Sequence, residues 1–170
     1  MRKLLLLLSF YLFAVSFING QSDKSERKSP PVIVTDTIQG VIVTVDYSSP
    51  RARGRELFGG LVPYNKVWRT GANEATKVSF NEDVIINGKD LEAGTYSLFS
   101  IPHEDQWIMI FNKVVDQWGH YNYDESKDAL RVQSTPKSLE QYQDEFAITI
   151  SEEGLNIAWG NLYIPLVVKS

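Results

Sequence analysis

The sequence predicts an all-β protein, an antiparallel two-sheet β-sandwich of jelly-roll or immunoglobulin-like type with about nine or ten strands. Three observations predict it. From residue 32 onward, short runs of alternating apolar and polar residues are separated by turn residues. An Asn87-Gly88 pair has the chemistry of a type I′ hairpin turn, because both residues tolerate positive φ. The domain also lacks the long 3.6-residue apolar period of an amphipathic helix.

Alternation locates the strands of the first half. The segment from Val41 to Tyr47 places its valines and tyrosine on one face and Thr44 and Asp46 on the other. The next predicted strands cover residues 76–80, 83–86, 89–91, 95–101 and 106–112. The last of them is apolar on both faces, which predicts a central position in its sheet.

The second half is less regular. Residues 113–127 are polar and aromatic without a sustained period, which predicts a long loop, and a strand pattern resumes at 129–133. Ser138 and Gln141 have the spacing of a capping box, which predicts a short helical piece. Alternation then predicts strands at 146–150, 155–159 and 162–168, with Pro165 marking an edge or a bulge.

The beginning of the chain predicts export. Met1-Arg2-Lys3, the apolar run from Leu4 to Ile18 and the exit Asn19-Gly20-Gln21 are typical of a signal peptide over residues 1–20, too short to span a membrane comfortably. We therefore expect a periplasmic or extracellular protein without a membrane span after cleavage. Residues 21–31 are polar, charged and end in two prolines, as in a flexible tether, and 32–170 form a single domain. The absence of cysteine means that this domain folds without disulfides.

Charge is distributed unevenly along the chain. The net charge is −4, or −6 without residues 1–20, which argues against a nucleic-acid binder. Residues 51–76 nevertheless carry five cations and two carboxylates, a net +3, against −10 for the rest of the chain from residue 32. Gly54, Gly59, Gly60 and Gly71 predict a shaped loop there, and shaped loops on a rigid scaffold are where function tends to lie.

A family resemblance rests on three stretches, F-G-G-L-V-P-Y-N-K-V-W-R-T-G-A-N-E-A-T (58–76), I-N-G-K-D-L-E-A-G-T-Y-S-L-F-S-I-P (86–102) and D-Q-W-G-H-Y-N-Y-D-E-S-K-D (116–128). They closely resemble domain of unknown function 2911, an uncharacterised family of exported bacterial proteins found mainly in Bacteroidetes. The resemblance covers nearly all of the predicted domain. Because the activity of that family is unknown, it implies no catalytic or ligand-binding residue.

Arg51, Arg53 and Arg55 alternate along the chain. In an extended segment they would project to one side and form a set of guanidinium forks suited to carboxylate, sulfate or phosphate. In the alternative, Pro50 and Gly54 bend the segment and the arginines pair with carboxylates of the domain itself.

Trp68-Arg69 and Asn73-Glu74 form the densest polar and aromatic cluster. In one interpretation Trp68 is a stacking platform and the polar residues orient a ligand. In the other, Trp68 plugs the end of the sandwich while Arg69 and Glu74 form a buried ion pair.

The loop at 116–128 is aromatic and acidic and offers a second wall for a site. Its rings and carboxylates suit carbohydrate hydroxyls or a cation, with Trp118 and Tyr121 as the contacting rings. Alternatively, its aromatic residues only pin the loop to the domain.

Metal and catalytic signals are few. His103 and His120 are the only histidines, and neither has a second histidine at ligand spacing, so we predict no metal and no cofactor. Glycoside hydrolysis needs two carboxyl groups across a cleft, and Glu74 with Asp124 is the one pair worth testing.

The preferred hypothesis is a non-enzymatic exported domain that binds a small polar, anionic or glycan-like ligand, or a partner surface. Its predicted contacts are Arg51, Arg53, Arg55, Trp68, Arg69, Asn73, Glu74, Trp118 and Tyr121. The alternatives are a hydrolase that uses Glu74 or Asp124 as acid or base and a structural or assembly module of the cell envelope. The sequence makes no prediction of oligomeric state.

Overall fold

A computed structural model describes residues 23–170 as ten strands and two short 3₁₀ helices. The predicted signal peptide at 1–20 and the first two residues of the predicted tether lie outside the described residues. The 3₁₀ helices are Lys24–Glu26 and Glu125–Lys127. Within residues 23–170, no helix has the length and apolar character needed to cross a membrane.

The ten strands form two antiparallel sheets. In chain order they are β1 (Pro31–Ile38), β2 (Val41–Ser48), β3 (Thr76–Phe80), β4 (Val84–Ile86), β5 (Lys89–Leu91), β6 (Gly94–Pro102), β7 (Trp107–Asn112), β8 (Asp128–Ser134), β9 (Lys137–Ser151) and β10 (Gly154–Lys169). One sheet has the order β1-β2-β3-β6-β7-β8, and the other has the order β5-β4-β10-β9. The prediction of an all-β fold with two antiparallel sheets is confirmed, while the choice between jelly-roll and immunoglobulin-like type stays a prediction.

The core lies between the sheets and is built by alternation. In β2, Val41, Val43 and Val45 are buried while Ile42 is exposed, as the period of two requires. Buried residues of both sheets belong to one cluster. Four aromatic residues meet at its centre, with Trp68 stacked on Trp159 and edge-on to two further rings. These two further rings are Trp107 and Phe146.

The hairpin turn predicted in the first half is confirmed, and the prediction for β7 is confirmed in part. Asn87 and Gly88 have φ of 47° and 83° and form the turn between β4 and β5. Strand β7 is the fifth of six strands, so it is an interior strand next to the edge strand β8 and not at the centre of its sheet. It is buried along most of its length, as its apolar character on both faces predicts.

The predicted helical piece at Ser138–Gln141 is wrong, because these residues belong to β9. The capping-box spacing is local, but Lys137 and Ser138 pair with Tyr163 and Leu162 of β10. The strands predicted at 155–159 and 162–168 are one continuous strand, β10. Its pairs with β9 end at Tyr163 and its pairs with β4 begin at Val168, so Pro165 lies where neither partner needs its N–H.

Two long connections place the candidate site at one end of the sandwich. They are residues 49–75, between β2 and β3, and residues 113–127, between β7 and β8, which confirms the loop predicted there. Backbone hydrogen bonds join them: the N–H of Ala75 donates to the carbonyl of Gln117 at 2.9 Å. The buried side chain of Asn112 positions the second connection by donating to the Asp124 carbonyl and accepting from the Val114 N–H.

Candidate functional site

A cavity of about 460 Å³ is lined mostly by the first connection, with Ser29, His120 of the second connection and Trp159 of β10. Four basic side chains line it, Arg55, Lys66, Arg69 and His120, and Trp68 and Trp159 form its floor. We call it the basic cavity. Its volume falls within the range of small-molecule sites. Among the described residues that line it, none is an aspartate or a glutamate.

The floor of the basic cavity is apolar. The indole N–H of Trp68 donates to the carbonyl of Gly71 at 3.1 Å, and that of Trp159 donates to the carbonyl of Asp144 at 3.0 Å. Neither indole N–H is therefore free for a ligand, and both rings are largely buried. Trp68 is only 8 % exposed, stacks on Trp159 at a centroid distance of 5.9 Å and belongs to the core, so it is a buried ring and not an open stacking platform.

Among the basic side chains that line the cavity, Arg69 has a buried nitrogen without a partner. Its Nε is buried without a hydrogen-bond partner in the structure. Within residues 23–170, no carboxylate oxygen lies within 4.0 Å of its guanidinium, so the predicted ion pair with Glu74 is wrong. Burial lowers the pKa of Arg69, partly offset by Tyr121, but an arginine stays charged at neutral pH. The result is a partly buried cation beside a cavity.

Glu74 is compensated from another part of the chain. Its carboxylate accepts a hydrogen bond from Arg27 Nη1 at 2.8 Å and lies 3.2 Å from Lys24 Nζ. Burial alone would raise the pKa of Glu74, but its own backbone N–H, Arg27 and Lys24 together lower it. The guanidinium carbon of Arg27 also lies 5.9 Å from the centre of the Trp118 ring.

Asn73 completes this contact with the start of the chain. Its amide donates to the carbonyl of Ser29 at 3.0 Å and to the hydroxyl of Ser48 at 3.1 Å. We call the set of Lys24, Arg27, Asn73, Glu74 and Trp118 the N-terminal clamp. Its first two members, Lys24 and Arg27, fall in the segment predicted to be a flexible tether, and the domain boundary at residue 31 stays a prediction.

The three alternating arginines do not form one fork. Arg53 has a φ of 53°, so the segment turns in the left-handed region and is not extended. Arg51 pairs with Glu145 at 2.7 Å, which agrees with the alternative interpretation. Arg55 donates from Nε to the carbonyl of Ala52 at 2.9 Å, and it alone of the three lines the basic cavity.

The aromatic loop divides into two parts. In the first, the His120 ring stacks on Tyr121, which is 75 % exposed. Gly119 is required there, because it has a φ of 66° and a Cβ would lie 2.9 Å from the Tyr121 ring. Partial burial and the nearby charge of Arg69 both lower the pKa of His120, which favours the neutral form of its ring.

The second part pins the loop to β8. The Tyr123 hydroxyl donates to Asp128 at 2.6 Å, and Arg131 donates to both of them. Burial and the bond to Asp128 raise the pKa of Tyr123. This part of the loop therefore agrees with the interpretation in which its aromatic residues hold the loop against the domain.

Glu74 and Asp124, the carboxyl pair considered for hydrolysis, do not include a group with a raised pKa. The side chain of Asp124 is exposed and accepts a hydrogen bond from the Ser126 N–H, and bonds from Ser126 lower its pKa. The pKa of Glu74 is lowered as well. A general acid needs a raised pKa. Among the described residues, no three His, Cys, Asp or Glu side chains cluster in a way that could hold a metal ion.

Of the nine residues predicted to bind a ligand, the basic cavity brings together Arg55, Trp68 and Arg69. Asn73, Glu74 and Trp118 lie in the N-terminal clamp, and Tyr121 lies on the His120 ring. Sequence reasoning missed Lys66, His120 and Trp159 as members of the site. The sequence offered a reason to include Lys66 and His120, because they lie in the basic segment and in the aromatic loop. Trp159 shows only the alternation of a strand, which does not indicate a site.

Comparison with known proteins gives one match. A family model described as a protein of unknown function (DUF2911) matches residues 29–168. The matched span contains every residue that lines the basic cavity, whereas Lys24 and Arg27 of the N-terminal clamp precede it. No curated protein and no solved structure matches the chain.

Proposed function

This chain belongs to the family of proteins of unknown function DUF2911, and we propose that it is a non-enzymatic binding protein whose basic cavity holds a small anionic ligand. The proposal is carried by Arg69, a partly buried cation that has no carboxylate partner within residues 23–170. A buried charge without a partner is unfavourable, and a bound anion would supply the missing partner through charge-assisted hydrogen bonds.

The electrostatics of the cavity support the same class of ligand. Arg55, Lys66 and Arg69 contribute three positive charges to one concave surface, although the whole chain has a net charge of −4. Low-dielectric walls concentrate such a field and attract oppositely charged ligands.

A glycan-like ligand is less well supported than an anion. Sugar hydroxyls require acceptors as well as donors, and carboxylate or carboxamide side chains usually provide them. Among the described residues lining the basic cavity there is neither, and the indole N–H groups of Trp68 and Trp159 already bind backbone carbonyls. Of the three ligand classes that the sequence suggests, the anionic one fits this lining best.

The proposal is tested by calorimetric titration of the purified protein with phenyl phosphate and with the neutral phenyl β-glucoside. We expect binding of phenyl phosphate only. Arg69→Ala should weaken it about 10- to 100-fold, since a hydrogen bond to a charged group contributes about 1.5–3 kcal/mol. Arg53→Ala is the matched control, because Arg53 is exposed on the same connection and does not line the cavity. Equal binding of both compounds, or equal binding by Arg69→Ala, would contradict the proposal.

The cellular localisation of the protein is proposed from its sequence. The predicted signal peptide over residues 1–20 assigns the protein to the periplasm or the extracellular space. Detection of the protein in the cytoplasmic fraction with residues 1–20 still attached would exclude this assignment.

A further inference from the structure

We infer that the ligand of the basic cavity is an amphiphilic anion, in which a negatively charged head is joined to an apolar body. This inference rests on the proposed function and adds the chemical class of the ligand. The head would contact Arg69, and the body would lie on the apolar side chains that line the same cavity.

The first observation is the apolar wall of the basic cavity. Leu61, Val62 and Val67 line it together with the two tryptophans of the floor. A site for an inorganic anion needs donors on several sides, because each anion oxygen accepts hydrogen bonds. Here, the wall and the floor consist of apolar side chains, of which Leu61 is exposed and Val67 partly exposed, while Val62 and the two tryptophans are largely buried.

The second observation is that the backbone of this wall is already hydrogen-bonded. The N–H of Val62 donates to the carbonyl of Leu57 at 2.7 Å, and the carbonyl of Val62 accepts from Gly59. The N–H and the carbonyl of Trp68 both pair with Ser100 of β6. The backbone groups of Val62 and Trp68 are therefore satisfied internally, so a ligand body that needs no hydrogen bonds fits this part of the cavity best.

The third observation is Leu61, an apolar side chain held at the rim. It is 42 % exposed, although the turn that carries it is well formed. The N–H of Leu61 donates to the carbonyl of Glu56 at 3.0 Å, and a Cβ on Gly60 would lie only 2.6 Å from that carbonyl oxygen. A turn this tight presents Leu61 in a fixed position, where an apolar ligand body would remove it from water.

The experiment compares ligands with the same head and different bodies. Calorimetric titrations use inorganic phosphate, methyl phosphate and phenyl phosphate, and acetate against phenylacetate repeats the comparison with a carboxylate head. We expect phenyl phosphate to bind about 10- to 100-fold more tightly than inorganic phosphate, because the ring buries apolar surface. Whichever series binds more tightly, the phosphates or the carboxylates, identifies the head group of the ligand.

Two variants test whether the tighter binding of phenyl phosphate depends on the apolar wall of the basic cavity. Leu61→Asn should weaken phenyl phosphate severalfold and leave inorganic phosphate unchanged. Ile33→Asn is the matched control, an exposed apolar residue of β1 that does not line the cavity. Melting temperatures of both variants verify that they fold.

The outcomes separate this inference from the proposed function. If inorganic and phenyl phosphate bind equally and both depend on Arg69, the proposed function stands and the amphiphilic ligand is overturned. It is also overturned if Leu61→Asn weakens both probes equally or neither of them. If no anionic probe binds, the proposed function fails, and the inference fails with it.

Discussion

The basic cavity and the N-terminal clamp both contain residues of the connection 49–75, but they balance charge in opposite ways. Glu74 of the clamp is met by Lys24 and Arg27 from the start of the chain. Arg69, five positions earlier, has no carboxylate partner within the described residues. A charge that the protein balances internally serves structure, whereas one left without a partner beside a cavity is available to a ligand.

The aromatic residues of the two regions differ in the same way. Trp68 under the cavity is 8 % exposed and belongs to the core, while Trp118 in the clamp is 56 % exposed. Because the two tryptophans differ in burial, substitutions in the two regions should differ in their effect on stability as well as on ligand binding.

The largest effect is expected from the two tryptophans. Trp68→Ala should lower the free energy of unfolding by about 3–5 kcal/mol, because it removes a ring packed against three other aromatic residues. Trp118→Ala should change it by less than about 1 kcal/mol. Denaturant unfolding followed by circular dichroism measures both values. Similar losses of unfolding free energy in the two variants would contradict the assignment of Trp68 to the core and of Trp118 to the surface.

The next effect separates Arg69 from Glu74 in ligand binding. Arg69→Met keeps much of the packing volume but removes the charge, so the affinity for phenyl phosphate should fall about 10- to 100-fold. Its melting temperature should stay the same or rise, because a partly buried cation without a carboxylate partner is removed. Glu74→Gln should bind phenyl phosphate like the unmodified protein. Loss of binding in both variants would show that the cavity depends on the clamp.

A smaller, severalfold effect concerns pH and His120. In the ligand-free protein, partial burial and Arg69 hold the pKa of His120 below its usual value, with Lys66 and Arg55 lining the same cavity. A bound anion neutralises this positive field and raises the pKa, so binding takes up a proton. The extra affinity should be fully present below the ligand-free pKa, which lies under about 6.5, and should be lost as pH rises through the bound-state pKa.

Benzenesulfonate is the probe for this prediction, because its charge is constant between about pH 5 and 8, where only histidine titrates among unperturbed side chains. Affinity measured by calorimetry should fall as pH rises across this interval. His120→Gln should remove the slope, and His103→Gln should leave it, since His103 does not line the basic cavity. An unchanged slope in His120→Gln would exclude His120 as the titrating group.

The smallest effect on stability is expected from the clamp itself. Glu74→Gln loses two partly exposed ion pairs, which together contribute at most about 1 kcal/mol after solvent screening. Local release should be easier to detect, as faster trypsin cleavage after Arg27 and Lys28 followed by mass spectrometry. Glu145→Gln, which breaks the Arg51 pair elsewhere, is the control. Equal cleavage rates in both variants would contradict a role of Glu74 in holding residues 24–29.

Much of the fold could be predicted because strand alternation is a local property. The period of two in β2 and the Asn87-Gly88 turn need only neighbouring residues to be recognised, and both are confirmed. The prediction failed at Ser138, where the local spacing of a capping box competes with pairing to β10. That pairing joins Ser138 to Leu162, and it is stronger because it belongs to a ladder of two strands with 15 and 16 residues.

The site was predictable as a region but not as an arrangement. Composition alone identifies residues 51–76 as a basic, glycine-containing segment in an acidic chain. Only the tertiary structure decides which of its charges are balanced, because the partners come from far along the chain: Arg27 is 47 positions from Glu74, and Glu145 is 94 positions from Arg51. The floor likewise needs Trp159 from β10. Local pattern follows from neighbouring residues, whereas charge compensation depends on long-range packing, and here it distinguishes Arg69 from Glu74.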